Sequence, residues 1–159
     1  MSTSVDRVDL SFLLNQASYA FAARLGDALS DLGISVREFC VLMKAAEQER
    51  TQNQVAELAS LDKTTMVVTL DGLERAGLAE RRVSSADRRA RVVVVTAQGL
   101  DLLAQAYDVV DEAVEASLGV LDEPTRRTFL EALTVLTQGP WATPSHTAPV
   151  RRRQPRPTE

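Results

Sequence analysis

Between Asp6 and about Leu32, apolar residues recur at Leu10, Leu14, Ala17, Phe21, Leu25, Ala28 and Leu32. Steps of three and four predict one long helix, closed by Gly33. Its other side also carries Phe12, Tyr19 and Ala22, and a helix apolar on two faces in so short a chain implies a partner chain. Ser35-Val36-Arg37-Glu38 has the form of a capping box, so a second helix starts there with Phe39, Leu42, Met43 and Ala46 on its buried face. Thr51-Gln52-Asn53-Gln54 repeats the device and opens a short helix through about Ser60. Asp62 then caps a helix over Lys63 to Ala76, with Gly77 as its left-handed stop.

Two helices joined so closely, the first of them short, suit a helix-turn-helix. Glu80 to Val83 and Arg91 to Val95 are β-prone runs separated by the turn residues Ser84-Ser85-Ala86-Asp87. A two-stranded wing therefore follows the second helix of the motif, with Arg88 and Arg89 on its loop. Thr96 caps a fifth helix to about Val120 through Leu100, Leu103, Tyr107, Val110, Val114 and Leu118. Asp122, with Pro124 in the first turn, opens a sixth containing Phe129, Leu130, Leu133 and Leu136, which Gly139-Pro140 ends. The expected architecture is mainly α. A single domain spans 1–138, with the winged helix-turn-helix at 35–96 and flanking helices at 5–33 and 97–138. The Pro- and Arg-rich stretch 139–159 has no apolar periodicity and is expected to be disordered.

Charge changes this picture. The net charge of −4 argues against nucleic acid as a partner, but residues 62–96 hold seven Lys and Arg against five Asp and Glu, while 97–138 hold two against eight. The chain is an acidic body with a local basic patch. The single cysteine, Cys40, allows no intrachain disulfide and no cysteine-based metal site within one chain, and fits a reducing compartment. The single histidine, His146, falls in the tail, which removes histidine-based catalysis from a folded core. No Gly-rich phosphate loop occurs. An enzyme is not expected, nor any cofactor or metal. No apolar run is long enough to cross a bilayer, and MSTSVDRVDL lacks the basic-then-apolar order of a secretory leader, so a cytoplasmic protein is expected.

The run VAELASLDKTTMVVTLDGLERAGLAERRVSSADRRARVVVVTAQG resembles the winged helix-turn-helix of the MarR family of bacterial transcription regulators. Leu73-Glu74-Arg75-Ala76-Gly77-Leu78, then Arg81, then Asp87-Arg88-Arg89 ahead of a strand and Thr-Ala-Gln-Gly carry the likeness, and the order of elements matches over residues 6 to about 138. The resemblance implies a homodimer held by the flanking helices and bound to double-stranded DNA at a pseudo-palindromic operator. It implies a repressor, released by a small aromatic or phenolic ligand. A helical dimer that binds proteins, without specific DNA binding, is the alternative.

On the helix after Asp62, Met66, Leu70 and Leu73 form the inward stripe, which places Lys63, Thr64, Val67, Val68 and Asp71 outward. Val67 and Val68 would face the groove, where an apolar side chain can pack on a thymine methyl. Family members more often carry Thr, Ser, Arg or Asn at these two places. Lys63, Thr64 and Thr65 stand at the amino end of the helix, suited to phosphate. Arg75, Arg88, Arg89 and Arg91 extend the basic surface, and Asp87 is expected to brace one wing arginine by a charge-assisted pair. Asn15, Tyr19 and Arg37 are candidates for a ligand pocket, with a place at the dimer interface or on the surface as the alternative. Cys40, amid Phe39, Leu42 and Met43, reads as a small buried hydrophobe rather than a thiol sensor. The Arg151 to Arg153 cluster either adds phosphate affinity or keeps the tail soluble.

Overall fold

Helices begin in this chain where a side chain can take over an amide that the helix leaves free. A computed structural model describes residues 9–84 and 87–142. In α1 (Leu10–Ser30) the Asp9 carboxylate accepts from the Phe12 amide at 3.1 Å. Before α2 (Val36–Ala46), Ser35 Oγ accepts from the Glu38 amide and Glu38 returns the bond to the Ser35 amide, closing the box. Thr51 and Gln54 do the same for α3 (Gln52–Leu58). The turn that follows puts Ser60 at φ 54° and returns the Leu61 amide to the Ala56 carbonyl at 2.8 Å, which ends α3 two residues short of the expected boundary. Asp62 then caps α4 (Lys63–Arg75).

Gly77 takes φ +71° and turns the chain from α4 into the sheet. Here the structure adds to the expected hairpin. Besides β2 (Ala79–Val83) and β3 (Arg91–Val95), a two-residue strand β1 (Arg50–Thr51) pairs antiparallel with β3, so the sheet has three strands in the order β1-β3-β2. Two residues are too few to show a period-2 pattern, which is why the sequence conceals β1. The four valines of β3 now have a reason. As the middle strand it buries Val92 and Val93, consecutive residues that point to opposite faces.

The chain divides into two compact units, through Ser117 and from Leu118. In the first, Leu29 of α1, Val41 and Leu42 of α2, Val55 of α3, Met66, Leu70 and Leu73 of α4, and Val93 of β3 are all but sealed from solvent. This core holds the helix-turn-helix and wing as one body. The N-terminal half of α1 contrasts with it. Leu10, Phe12, Leu13, Leu14 and Tyr19 are all exposed, and only Leu25 and Leu29 of this helix are buried. The second unit holds α6 (Glu123–Gln138), capped by Asp122, whose carboxylate accepts from the Thr125 amide at 2.9 Å. No residue of α6 is buried, and Phe129, Leu130 and Val135 lie open. Residues 139–142 turn back on its end, the Trp141 amide donating to the Leu136 carbonyl at 3.0 Å. The remainder of the expected disordered tail, with His146 and Arg151 to Arg153, lies outside the described residues.

The start of α5 (Ala97–Leu118) locks onto the loop that ends α4. The Thr96 hydroxyl donates to the Gly77 carbonyl at 2.7 Å and accepts from the Gly99 amide at 3.0 Å, and the Thr96 amide reaches the Leu78 carbonyl. Gly99 is in this place because nothing larger fits: a Cβ there would lie 2.0 Å from the Leu78 carbonyl oxygen and 2.7 Å from a Val95 methyl. Gly99→Ala should therefore lower the unfolding free energy by about 1–3 kcal/mol in urea titration, against the small gain an exposed helical glycine would give.

Candidate nucleic-acid interface

Because Met66, Leu70 and Leu73 are all sealed in the core, α4 has one fixed face to solvent. Lys63, Thr64, Val67, Val68, Asp71 and Arg75 are exposed on it, Val67 at 41% and Val68 at 63% of full accessibility. Neither valine is absorbed by the wing or by α3. Thr65 is placed differently from Lys63 and Thr64. Its amide and hydroxyl both donate to the Asp62 carboxylate, at 3.0 and 2.6 Å, so the side chain completes the cap. These bonds, the Thr65 hydroxyl first and its amide next, hold the Asp62 carboxyl below its ordinary pKa.

The wing is fastened to α4 by Arg81. Its guanidinium meets Asp71 at 2.8 Å and also pairs with Glu74, its Nε donates to Gln52 Oε1 at 3.1 Å, and its amide donates to Glu74 Oε1 at 2.8 Å. One side chain thus joins β2, α4 and the first turn of α3. At the base of the wing loop the buried Ser84 hydroxyl donates to Glu49 at 2.6 Å. Arg82 pairs with Glu80 along the strand, and Arg75 Nε reaches the Asp71 carbonyl at 3.1 Å.

Asp87 corrects the expectation set for it. Its carboxylate accepts from the backbone amide of Arg89 at 2.9 Å, while its own amide reaches Ser84 Oγ, and it makes no pair with a guanidinium among the described residues. An aspartate two residues ahead of an amide closes a turn more readily than it reaches a mobile side chain. The acid shapes the loop and leaves Arg88 and Arg89 exposed, with no acidic partner among the described residues. Arg91 is likewise exposed, at the first position of β3.

A groove of about 740 Å³ opens between the end of α1 and the start of α2, lined by Gly26, Ser30, Ile34, Arg37, Cys40 and Ala59 among others. Of the three candidate pocket residues, Arg37 lies here. Asn15 and Tyr19 stand two to three turns earlier on α1 and do not line the groove, Tyr19 being 80% exposed. Cys40 is partly rather than fully buried, and burial raises its thiol pKa against the smaller opposing effect of Lys44. Among the described residues there is no cluster of side chains able to hold a metal ion, and no helix is long and apolar enough to cross a membrane.

A MarR family model matches residues 32–90, the stretch from the end of α1 to the wing. Transcriptional regulator HosA of Escherichia coli is 32% identical over 120 residues, covering 74% of this chain and 87% of its own length. The chain belongs to the MarR family. It is accordingly a winged helix-turn-helix transcription regulator and not an enzyme. Among solved structures it is similar to CouR of Rhodococcus jostii RHA1 bound to p-coumaroyl-CoA, with a TM-score of 0.73 and 28% identity over 81% of this chain and 92% of that one. A MarR family protein of Mycobacterium tuberculosis in complex with p-aminosalicylic acid superposes with a TM-score of 0.68 and 30% identity, over 80% and 97%.

Within this MarR framework, sequence reasoning missed the work of Arg81. Counted along the chain, it is one of a run of arginines. Its partners, Gln52 and Asp71, come from elsewhere in sequence, so no local spacing announces the tie. Replacing it by methionine keeps the bulk but leaves two carboxylates unpaired. Arg81→Met should cost about 1–3 kcal/mol in urea titration, with faster amide exchange at position 81. The cap of α4 gives a pH test. Since the Asp62 carboxyl has a lowered pKa in the folded chain, its contribution is fully present above the unfolded value of about 3.9 and is lost as pH falls through the lower folded value. Asp62→Asn keeps an acceptor without the charge, so the stability gap between the two proteins should shrink over that acid window and be flat from pH 5 to 7.

Proposed function

We propose that the chain binds a pseudo-palindromic operator as a homodimer and represses by occupying it in the cytoplasm. In this reading α4 enters the major groove, the wing lies along the backbone and minor groove, and the two copies of α4 stand about one helical turn, roughly 34 Å, apart. The observation that carries it is the division of labour among the charges. Arg81 is used up internally, while Lys63 on α4 and Arg88, Arg89 and Arg91 on the wing are exposed with no acidic partner among the described residues. A basic rim that the fold does not neutralise suits a phosphate backbone, even on a chain of net charge −4. Lys63 and Thr64 would meet phosphate at the helix start, Val67 and Val68 the base edges, and Arg75 and Arg91 the flanking backbone. Thr65 and Asp87 act through the groups they hold in place.

Dimerisation answers the apolar residues that one copy leaves bare, Leu10, Phe12, Leu13 and Leu14 on α1 and Phe129, Leu130 and Val135 on α6. For the ligand, the support is chemical: relatives of 28% and 30% identity were solved with p-coumaroyl-CoA and p-aminosalicylic acid. Both carry an aromatic ring and an anionic group. We place such a ligand in the groove by Arg37, and give Asn15 and Tyr19, which lie outside that groove, to the dimer or solvent surface of α1. Release requires that it bind the DNA-incompetent arrangement of the two α4 helices more tightly than the competent one.

Fluorescence anisotropy on a duplex selected from a random pool tests the DNA reading. Wild-type protein should bind with a steep negative salt dependence, and Arg89→Ala should weaken binding and flatten the slope by roughly 0.9 for each phosphate left without its cation. If selection enriches nothing and both proteins bind every duplex equally weakly, the apolar helices should be tested as a surface for protein partners.

A further inference from the structure

We infer that Val67 and Val68 read the C5-methyl groups of thymines, so that the operator is recognised at the centre of the interface by apolar packing rather than by paired hydrogen bonds. This rests on the DNA reading above. The two valines are the fifth and sixth residues of α4, adjacent on its outward face and both open to solvent. The fold gains nothing from them there. β-Branched side chains are weaker helix formers than alanine or leucine, and neither valine contributes to the core.

Of the polar residues around them, Lys63 and Thr64 stand exposed at the helix start, where the reading above gives them to phosphate, and the others are occupied or placed elsewhere. Asp71, one turn on, is held by Arg81 at 2.8 Å, and Arg75 turns its Nε to the Asp71 carbonyl at 3.1 Å from the last turn of the helix. Thr65 is spent on the cap and Thr69 is buried, its hydroxyl on the Thr65 carbonyl at 2.7 Å. The exposed face of the first two turns carries no Asn, Gln or Arg. Apart from Lys63 at the helix start, no exposed side chain of these turns can make the bidentate pairings that identify guanine or adenine. What remains on that face beyond Lys63 and Thr64 is an isopropyl pair.

In the major groove the thymine methyl is the one apolar feature of an unmodified base pair. Against any other base edge, a valine would strip water from donors and acceptors and return nothing. The pair therefore selects for thymine and also against G·C at the same step.

Uracil isolates the feature, since it keeps the pairing and the O4 acceptor of thymine and lacks only the methyl. Each thymine of the selected operator is replaced in turn by deoxyuridine, and anisotropy is measured with wild type, Val67→Ala and Val68→Ala. Alanine is a good helix former and both sites are exposed, so the variants should fold, which amide exchange across α4 verifies. The expected result is a loss on the order of fourfold at one or two positions per half-site. That loss should disappear in the matching alanine variant. If wild type binds specifically and with a steep salt slope, yet no deoxyuridine matters or the losses persist unchanged in both variants, methyl reading is overturned while DNA binding stands. If no duplex is bound specifically, both fall together.

Discussion

The angle between the wing and the exposed helix depends on one guanidinium. Arg81 sits on β2 yet bonds to two residues of α4 and the first residue of α3, so three elements are fixed by a single planar fork. The apolar core alone would not do this. Leu70 and Leu73 pack without direction, and tolerate sliding that a forked donor set does not. Specific reading of a rigid duplex requires the helix and the loop arginines to stand at a set separation. The internal charge supplies this constraint and leaves Lys63, Arg88, Arg89 and Arg91 with no acidic partner among the described residues.

Much of the fold could be read from the chain because its boundaries are chemical. Ser35 with Glu38, Thr51 with Gln54, Asp62 and Asp122 each satisfy local amides, and Gly77 takes the backbone angle that a left-handed stop requires. Such signals act over three or four residues, so sequence displays them directly. β1 was hidden because two residues have no period. The stripe from Leu10 to Leu32 is regular whether or not one copy of the chain covers it, and the exposed N-terminal half of α1 agrees with the partner chain that its second apolar face implied. Periodicity reports that a surface needs cover and not what provides it.

The interface was legible in a more particular way. That Val67 and Val68 face outward follows from the phase of Met66, Leu70 and Leu73, and the phase is observed. The basic run could not be sorted by sequence into arginines that hold the fold and arginines that do not. Arg81 and Arg82 are neighbours, yet one ties three elements together and the other pairs with Glu80 on its own strand. Asp87 likewise looked like a counter-charge and proved to be a turn former. In both cases the deciding fact is which amide or carboxylate lies within hydrogen-bonding reach, and only the folded chain has that fact.

Thr51 serves the sheet and the helix at once. It pairs with Val92 in the sheet, and its hydroxyl is the cap from which α3 begins. There is no linker between the two roles. Adding one residue at this junction would turn α3 by about 100° about its own axis, carrying Gln52 away from Arg81 and Val55 out of the core, or would shift β1 by a place against β3 and exchange its two faces. The fold cannot accept a different count of residues at this point. Spacing, held to a single residue, is here as much a part of the inherited design as any side chain.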